Sequence, residues 1–138
     1  VGPILIPWKE WDFLRRHLSL FCKGQDGIEI GFAITGRISK FKDHVLAERV
    51  IALPAEGRPH TVHIDHRLVG QAQKDGIVAL GHAHTYDSAI ATPADYDFFA
   101  WVEEFLGRPI FHIVITPDEE YEVYVRDRSN SHSFVQIT

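Results

Sequence analysis

Two histidines separated by a single residue, in Gly81-His82-Ala83-His84, are the side chains here whose type and spacing first suggest chemistry. They leave the end of the apolar run Ile77-Val78-Ala79-Leu80. On a strand, residues two apart project from the same face, so both imidazoles can reach one metal ion. A third ligand candidate is Asp95, in Thr92-Pro93-Ala94-Asp95. With Thr92 as N-cap and Pro93 as the first helical position, the Thr hydroxyl and the Asp carboxylate share a helix N-terminus and face the preceding loop. By itself Asp95 reads more simply as the acid of a capping box, and Thr92 as the cap. A carboxylate nevertheless has one oxygen for the cap and one for a metal. Two His and one Asp would leave zinc an open fourth position for water, the pattern of a catalytic site. Zinc would lower the pKa of that water toward about 7. A nearby carboxylate would still have to take its proton and pass it to a leaving amine.

Glu29 is the candidate for that base. Residues 28–35 alternate, with Ile28, Ile30, Phe32 and Ile34 on one face and Glu29, Gly31, Ala33 and Thr35 on the other. Glu29 is the one charge on the small-residue face; it is either a solvated charge or the wall of a groove, and Gly31 and Ala33 favour the groove. The other histidines offer less. On a strand, His60 and His66 share a face and His63 takes the opposite one, so these three cannot converge and are expected at a surface or edge. His17, His44, His112 and His132 are scattered and receive no role. Asp87 and Ser88 lie in the loop after the ligands, within reach of a substrate but expected as solvated loop residues, and Asp97, the fallback ligand, points elsewhere two past Asp95 on a helix.

The elements that must position these residues follow from periodicity. An amphipathic helix is expected over 7–22, opened by Pro7 and carrying Trp11, Leu14, Leu18 and Phe21 at helical spacing. Strands are expected over 28–35, over 45–53 (ended by Pro54 and a Gly57-Arg58-Pro59 turn), over 60–65 and over 77–82. A short helix falls near 67–75 and an irregular stretch over 83–91. A second long helix spans 93–106, with Phe98, Val102 and Phe105 on one stripe and Phe99 and Leu106 beside it, stopped by Gly107 and Pro109. Residues 110–116 and 121–126 pair as a hairpin. No repeat, linker or low-complexity segment interrupts the chain. The expected fold class is α/β (α+β), a mixed sheet flanked by helices in one domain over 1–138.

Composition narrows the function classes. At 138 residues and 45% apolar, the chain can build one substantial core. The formal charge of −5, with no Lys/Arg cluster, does not favour nucleic acid; a basic peptide suits it better. The lone Cys22 excludes an internal disulfide or thiolate metal cluster and is expected as a buried helical thiol. No apolar run is long enough to span a membrane and no secretory signal opens the chain, so a cytoplasmic setting is expected. The start at Val1 rather than Met fits a trimmed chain or one domain of a longer protein.

The order of these residues resembles the JAB/MPN domain family with an intact JAMM metalloprotease motif: an upstream Glu, His-x-His, seven residues, Ser, two residues, Asp. Here Glu29 stands in GIEIGFAITG; then come His82-Ala83-His84, the seven residues Thr85 to Ala91, Thr92, two residues and Asp95. The order of elements is similar over almost the whole chain. The resemblance implies a single MPN-like domain with cytidine-deaminase-like layering, and one zinc ion held by His82, His84 and Asp95. It implies that Glu29 activates the water and protonates the leaving amine, and that Thr92 steadies an oxyanion. The implied activity is hydrolysis of the isopeptide or peptide bond after the C-terminal Gly-Gly of ubiquitin or a ubiquitin-like protein, as in compact prokaryotic relatives, with an E1-like partner or fused domain. An extended tail in a groove beside Gly31 and Ala33, joined by strand addition, is the expected binding mode. Two departures stand out: Thr92 replaces the family's Ser, adding a methyl, and Thr85 stands where Pro usually follows the second His.

Three other readings compete. HAHTYDSAIATPADYDFF is also similar to the first motif of PHP-type metallophosphoesterases, but only 54 residues follow His84 to supply further ligands, and the 81 before the motif would go unexplained. A non-catalytic MPN scaffold would bind partners without metal, yet such members commonly lose a ligand or the Glu. A RadC-like, DNA-associated relative gains nothing from the acidic balance.

Overall fold

The computed structural model describes residues 3–24, 30–40, 44–53, 55–58, 61–64, 76–84, 88–125 and 135–137. Along the chain these form β1 (Ile4–Ile6), α1 (Trp8–Gly24), β2 (Ile30–Ile38), β3 (Val45–Leu53), β4 (Ala55–Arg58) and β5 (Thr61–Ile64). Then follow β6 (Ile77–Ala83), α2 (Pro93–Leu106), β7 (Phe111–Ile115), β8 (Tyr121–Val125) and β9 (Val135–Ile137). Seven strands make one mixed sheet in the order β8-β7-β6-β2-β3-β1-β9, and β4 and β5 pair as a separate two-stranded ribbon. β6 runs parallel to β7, and β1 parallel to β3 and β9; the remaining pairs of the large sheet are antiparallel.

The bounds of β3 and α2 are those expected from the sequence, where Pro54 stops β3 and Pro93 and Gly107 punctuate the two ends of α2. β1 and β9 were not anticipated: at three residues each they show no readable period. β4 occupies residues assigned to a turn, its Gly57 and Arg58 pairing with Val62 and Thr61. Pro7 stands one residue ahead of α1 instead of inside its first turn, and its carbonyl accepts the Trp11 N–H at 3.0 Å. The short helix expected near 67–75 lies outside the described residues.

The core has a layer on each side of the central strands. Trp11 and Leu14 of α1 pack on Phe32, Ile34, Ala79 and Ile113. On the other side Val102 and Leu106 of α2 cluster with Ala33, Ile77, Leu80 and Ile110. The small-residue face of β2 is thus the seat of a helix at Ala33, which is fully buried, and not an open groove there. β2 is also hydrogen-bonded on both sides, to β3 and β6, so a strand cannot add to it over residues 31–35. Gly81 is demanded by packing: a Cβ there would run into the Phe32 ring and the Ile113 carbonyl. On α2 the buried row is Phe99, Val102, Glu103 and Leu106, while Phe105 is exposed, stacked on Trp101. The expected stripe was therefore rotated, because apolarity alone could not foresee a buried glutamate. No described helix is long and apolar enough to cross a membrane.

Candidate metal centre

β6 delivers the two histidines. Every residue of this strand is buried, and the parallel ladder with β7 runs one step past its end, where the His84 N–H donates to the Ile115 carbonyl at 2.8 Å. His82 and His84 are 4% and 1% exposed, with ring centroids 4.8 Å apart.

The N-terminus of α2 delivers the carboxylate. Thr92 Oγ1 accepts the Asp95 N–H at 3.2 Å, and Asp95 Oδ2 accepts the Thr92 N–H at 2.9 Å, a complete capping box with Pro93 at the first helical position. The same carboxylate faces the histidines, Oδ2 lying 3.0 Å from His84 Nε2 and Oδ1 3.1 Å from His82 Nε2. Asp95 is therefore both cap and partner of the imidazoles. The three candidate ligand atoms lie within 4.8 Å of one another, a group that could hold a metal ion. Zinc–ligand bonds of about 2.0–2.1 Å in a tetrahedron would place such atoms about 3.3 Å apart, close to the 3.1 and 3.0 Å at which the carboxylate approaches the two imidazoles.

Two observations bear on whether a metal fits. His82 Nε2 is buried and makes no aligned hydrogen bond, despite its short approach to Asp95. His84 Nδ1 lies 2.7 Å from the Ser88 carbonyl. A carbonyl only accepts, so Nδ1 carries the hydrogen. In the neutral ring Nε2 then turns a lone pair toward a carboxylate oxygen, and a cation must stand between them, either a proton or a metal. A backbone carbonyl behind the distal nitrogen is also how metal-ligating histidines are commonly oriented. The donor set fits a metal ion. Burial acts to raise the Asp95 carboxyl, but the two histidines and the Thr92 N–H outweigh it and hold the group well below the usual carboxylate range.

The loop between the ligands is tied down by a residue that the sequence did not single out. The Tyr124 hydroxyl of β8 accepts the Ala91 N–H at 2.8 Å and donates to the Ala89 carbonyl at 2.9 Å. Its ring packs against Tyr96 and Phe99 of α2. In the sequence Tyr124 is one more aromatic in an alternating strand, and no local signal marks it. Ser88 meets His84 through its backbone carbonyl, which no side-chain pattern marks, while its hydroxyl accepts the Ile90 N–H at 3.3 Å.

Glu29, Asp87, His60, His66 and His132 lie outside the described residues. The neighbour of Glu29, Ile30, pairs with Ala83, between the two histidines. His63 is placed on β5 opposite Glu56 by its backbone alone, and the side chains of His17 and Cys22 on α1 are outside the description. Asp97 is exposed and takes no part. His112, given no role from the sequence, is buried at 2% exposure against Glu103 and Phe99.

No known family profile matches the chain, and no curated protein matches it. Among solved structures its fold is similar to the solution structure of protein DSY2949 from Desulfitobacterium hafniense. The TM-score is 0.69 at 15% identity, over 98% of this chain and 92% of that one. At that identity the likeness concerns the fold alone.

Proposed function

We propose that the chain is a zinc-dependent peptidase or isopeptidase that hydrolyses the bond after the C-terminal Gly-Gly of a ubiquitin or ubiquitin-like protein. The observation that carries this reading is the buried His82–His84–Asp95 group, in which the carboxylate comes from a helix cap at the spacing of the JAMM motif. Two imidazoles and one carboxylate suit zinc in a site with an open position. Bound there, zinc supplies a Lewis acid and acidifies a water molecule near neutral pH.

This chain's residues supply the rest. Glu29, one residue ahead of Ile30 and its partner Ala83, is the proposed base that takes a proton from the water and returns it to the leaving amine. Thr92 Oγ1 uses a lone pair for the helix cap, which leaves its hydrogen for an oxyanion. The Ser88 carbonyl fixes the tautomer and orientation of His84. Because β2 is paired on both sides, an extended tail would have to lie on another element than β2. The partner in this proposal is a ubiquitin-like conjugate, with an E1-like protein as companion and the cytoplasm as setting.

The test is cleavage of ubiquitin-like proteins extended beyond Gly-Gly. Zinc-loaded wild type is expected to cut at least one such fusion. A chelator, or Glu29→Ala, is expected to reduce the rate by about 100-fold or more. Undiminished cleavage by Glu29→Ala would sink the assigned base.

A further inference from the structure

Asp95, Phe99 and Glu103 stand four apart on the inner row of α2, and each meets a polar or aromatic group of the sheet. Asp95 meets His82 and His84. Phe99 stacks on the ring of His112 at 4.2 Å and 22°. Glu103 Oε1 accepts the Ile110 N–H at 3.2 Å and lies 3.3 Å from His112 Nε2. His112 pairs with Leu80 and His82 with Val114, so the two histidines are diagonal neighbours on one face of adjoining parallel strands. Glu103 and His112 are 4% and 2% exposed. A buried carboxylate carries a desolvation penalty that an apolar side chain of the same size would avoid, which asks what this one does.

We infer that Glu103 and His112 are a positioning pair that sets where α2 presents Asp95 to His82 and His84, and thereby sets the metal affinity of that group. The inference rests on reading the trio as a metal centre. α2 ends at Gly107, in the left-handed region at φ 71°, and the chain turns back into β7. Glu103 spans that turn from within the helix, fastening it to Ile110 just ahead of β7. Beside the apolar packing of Phe99, Val102 and Leu106, the helix thus has two polar fastenings to the sheet side, its N-terminal carboxylate and Glu103, about 12 Å apart along the axis at about 1.5 Å per residue. Released at the second point, α2 can pivot and carry Asp95 with it. Metal–ligand distances tolerate deviations of only about 0.2 Å, so a small tilt is felt as lost affinity. The His112 ring, pressed between Glu103 and Phe99, joins the two contacts.

The test compares wild type with Glu103→Gln, His112→Asn and, as a control, Val102→Ala. Val102 is fully buried on the same helix, within the apolar cluster. Three quantities are read: the metal-free melting temperature, the zinc dissociation constant by chelator competition, and the visible spectrum of bound Co2+, which reports ligand geometry. Glu103→Gln keeps an oxygen for Ile110 and removes the charge facing His112. It is expected to weaken zinc binding roughly tenfold and to shift the cobalt bands. Val102→Ala, at equal or greater loss of melting temperature, is expected to bind within about threefold of wild type. Should Glu103→Gln fail to fold, His112→Asn carries the same expectation. Wild type that binds metal alongside variants of unchanged affinity, or a control that loses as much, overturns this inference alone. Wild type that binds no metal overturns the metal centre and this inference with it.

Discussion

The carboxylate of Asp95 divides its two oxygens between a helix and two histidines, and that division can be tested. Asp95→Asn keeps an oxygen for the Thr92 N–H but removes the charge facing His82 and His84. Metal content is expected to fall to near zero by elemental analysis, while the melting curve moves by no more than a cap's worth, about 1 kcal/mol. Undiminished metal content in the folded variant would assign Asp95 to the cap alone. His112 carries a second prediction at this scale. Burial pushes its imidazole below the ordinary value of 6.5, against the opposing pull of Glu103. The folded chain then takes this proton less readily than the unfolded one. The contribution to stability is fully present above the ordinary value and is lost as pH falls below it toward the folded value. Melting of the metal-free protein from pH 7.5 to 5.5 is expected to fall more steeply for wild type than for His112→Asn, by at most about 1.4 kcal/mol per pH unit. Parallel curves would show that this imidazole does not titrate as its burial requires.

Two glycines serve the elements that carry the site, Gly107 at the end of α2 and Gly81 within β6, and they act for different reasons. Gly107 closes α2 in the left-handed region with open space around a would-be Cβ. Gly107→Ala is therefore expected to cost only backbone strain, about 1 kcal/mol in chemical denaturation, with metal binding retained. Gly81 precedes His82 on β6 and has no room at all. Gly81→Ala must push apart Phe32 or the β7 backbone, so a loss at the top of the overpacking range of about 1–3 kcal/mol is expected, together with weakened metal binding. Comparable stabilities for the two variants would mean that β6 is less tightly seated than the packing around Phe32 implies. These elements also show what local sequence can convey. Thr92, Pro93 and Gly107 fix the ends of α2 within a turn of chain, so its bounds were legible. β1 and β9 exist only because β3 offers an edge to β1, and β1 in turn to β9; three residues without a partner have no preference of their own.

For the whole molecule, metal is expected to act as a ligand of the folded state. A site assembled from β6 and α2 exists only when the sheet and helix are docked, so zinc at about 100 times its dissociation constant adds about 2.7 kcal/mol, a rise on the order of 10 °C in melting temperature. A chelator should reverse it; unchanged melting on zinc addition would count against the centre. What the sequence determined by itself was local: the His-x-His on a strand, the Thr-Pro-x-Asp at a helix start, and the faces of β2. These follow from side-chain period and capping, which need only a few neighbours along the chain. The tertiary structure decided the rest. It seated α2 on Ala33, which filled the expected groove, and it paired both sides of β2, which barred strand addition there. It brought Tyr124 from 33 residues away to the loop between His84 and Asp95, and set His112 of β7 beneath Glu103 of α2. Contacts of that kind depend on which surfaces meet after docking, and no pattern within one segment encodes the segment it will face. The pair His82 and His84 suggested a metal on strand geometry but carried little alone; packing supplied the position of Asp95 beside them, the carbonyl behind His84 and the buried, unaligned nitrogen of His82.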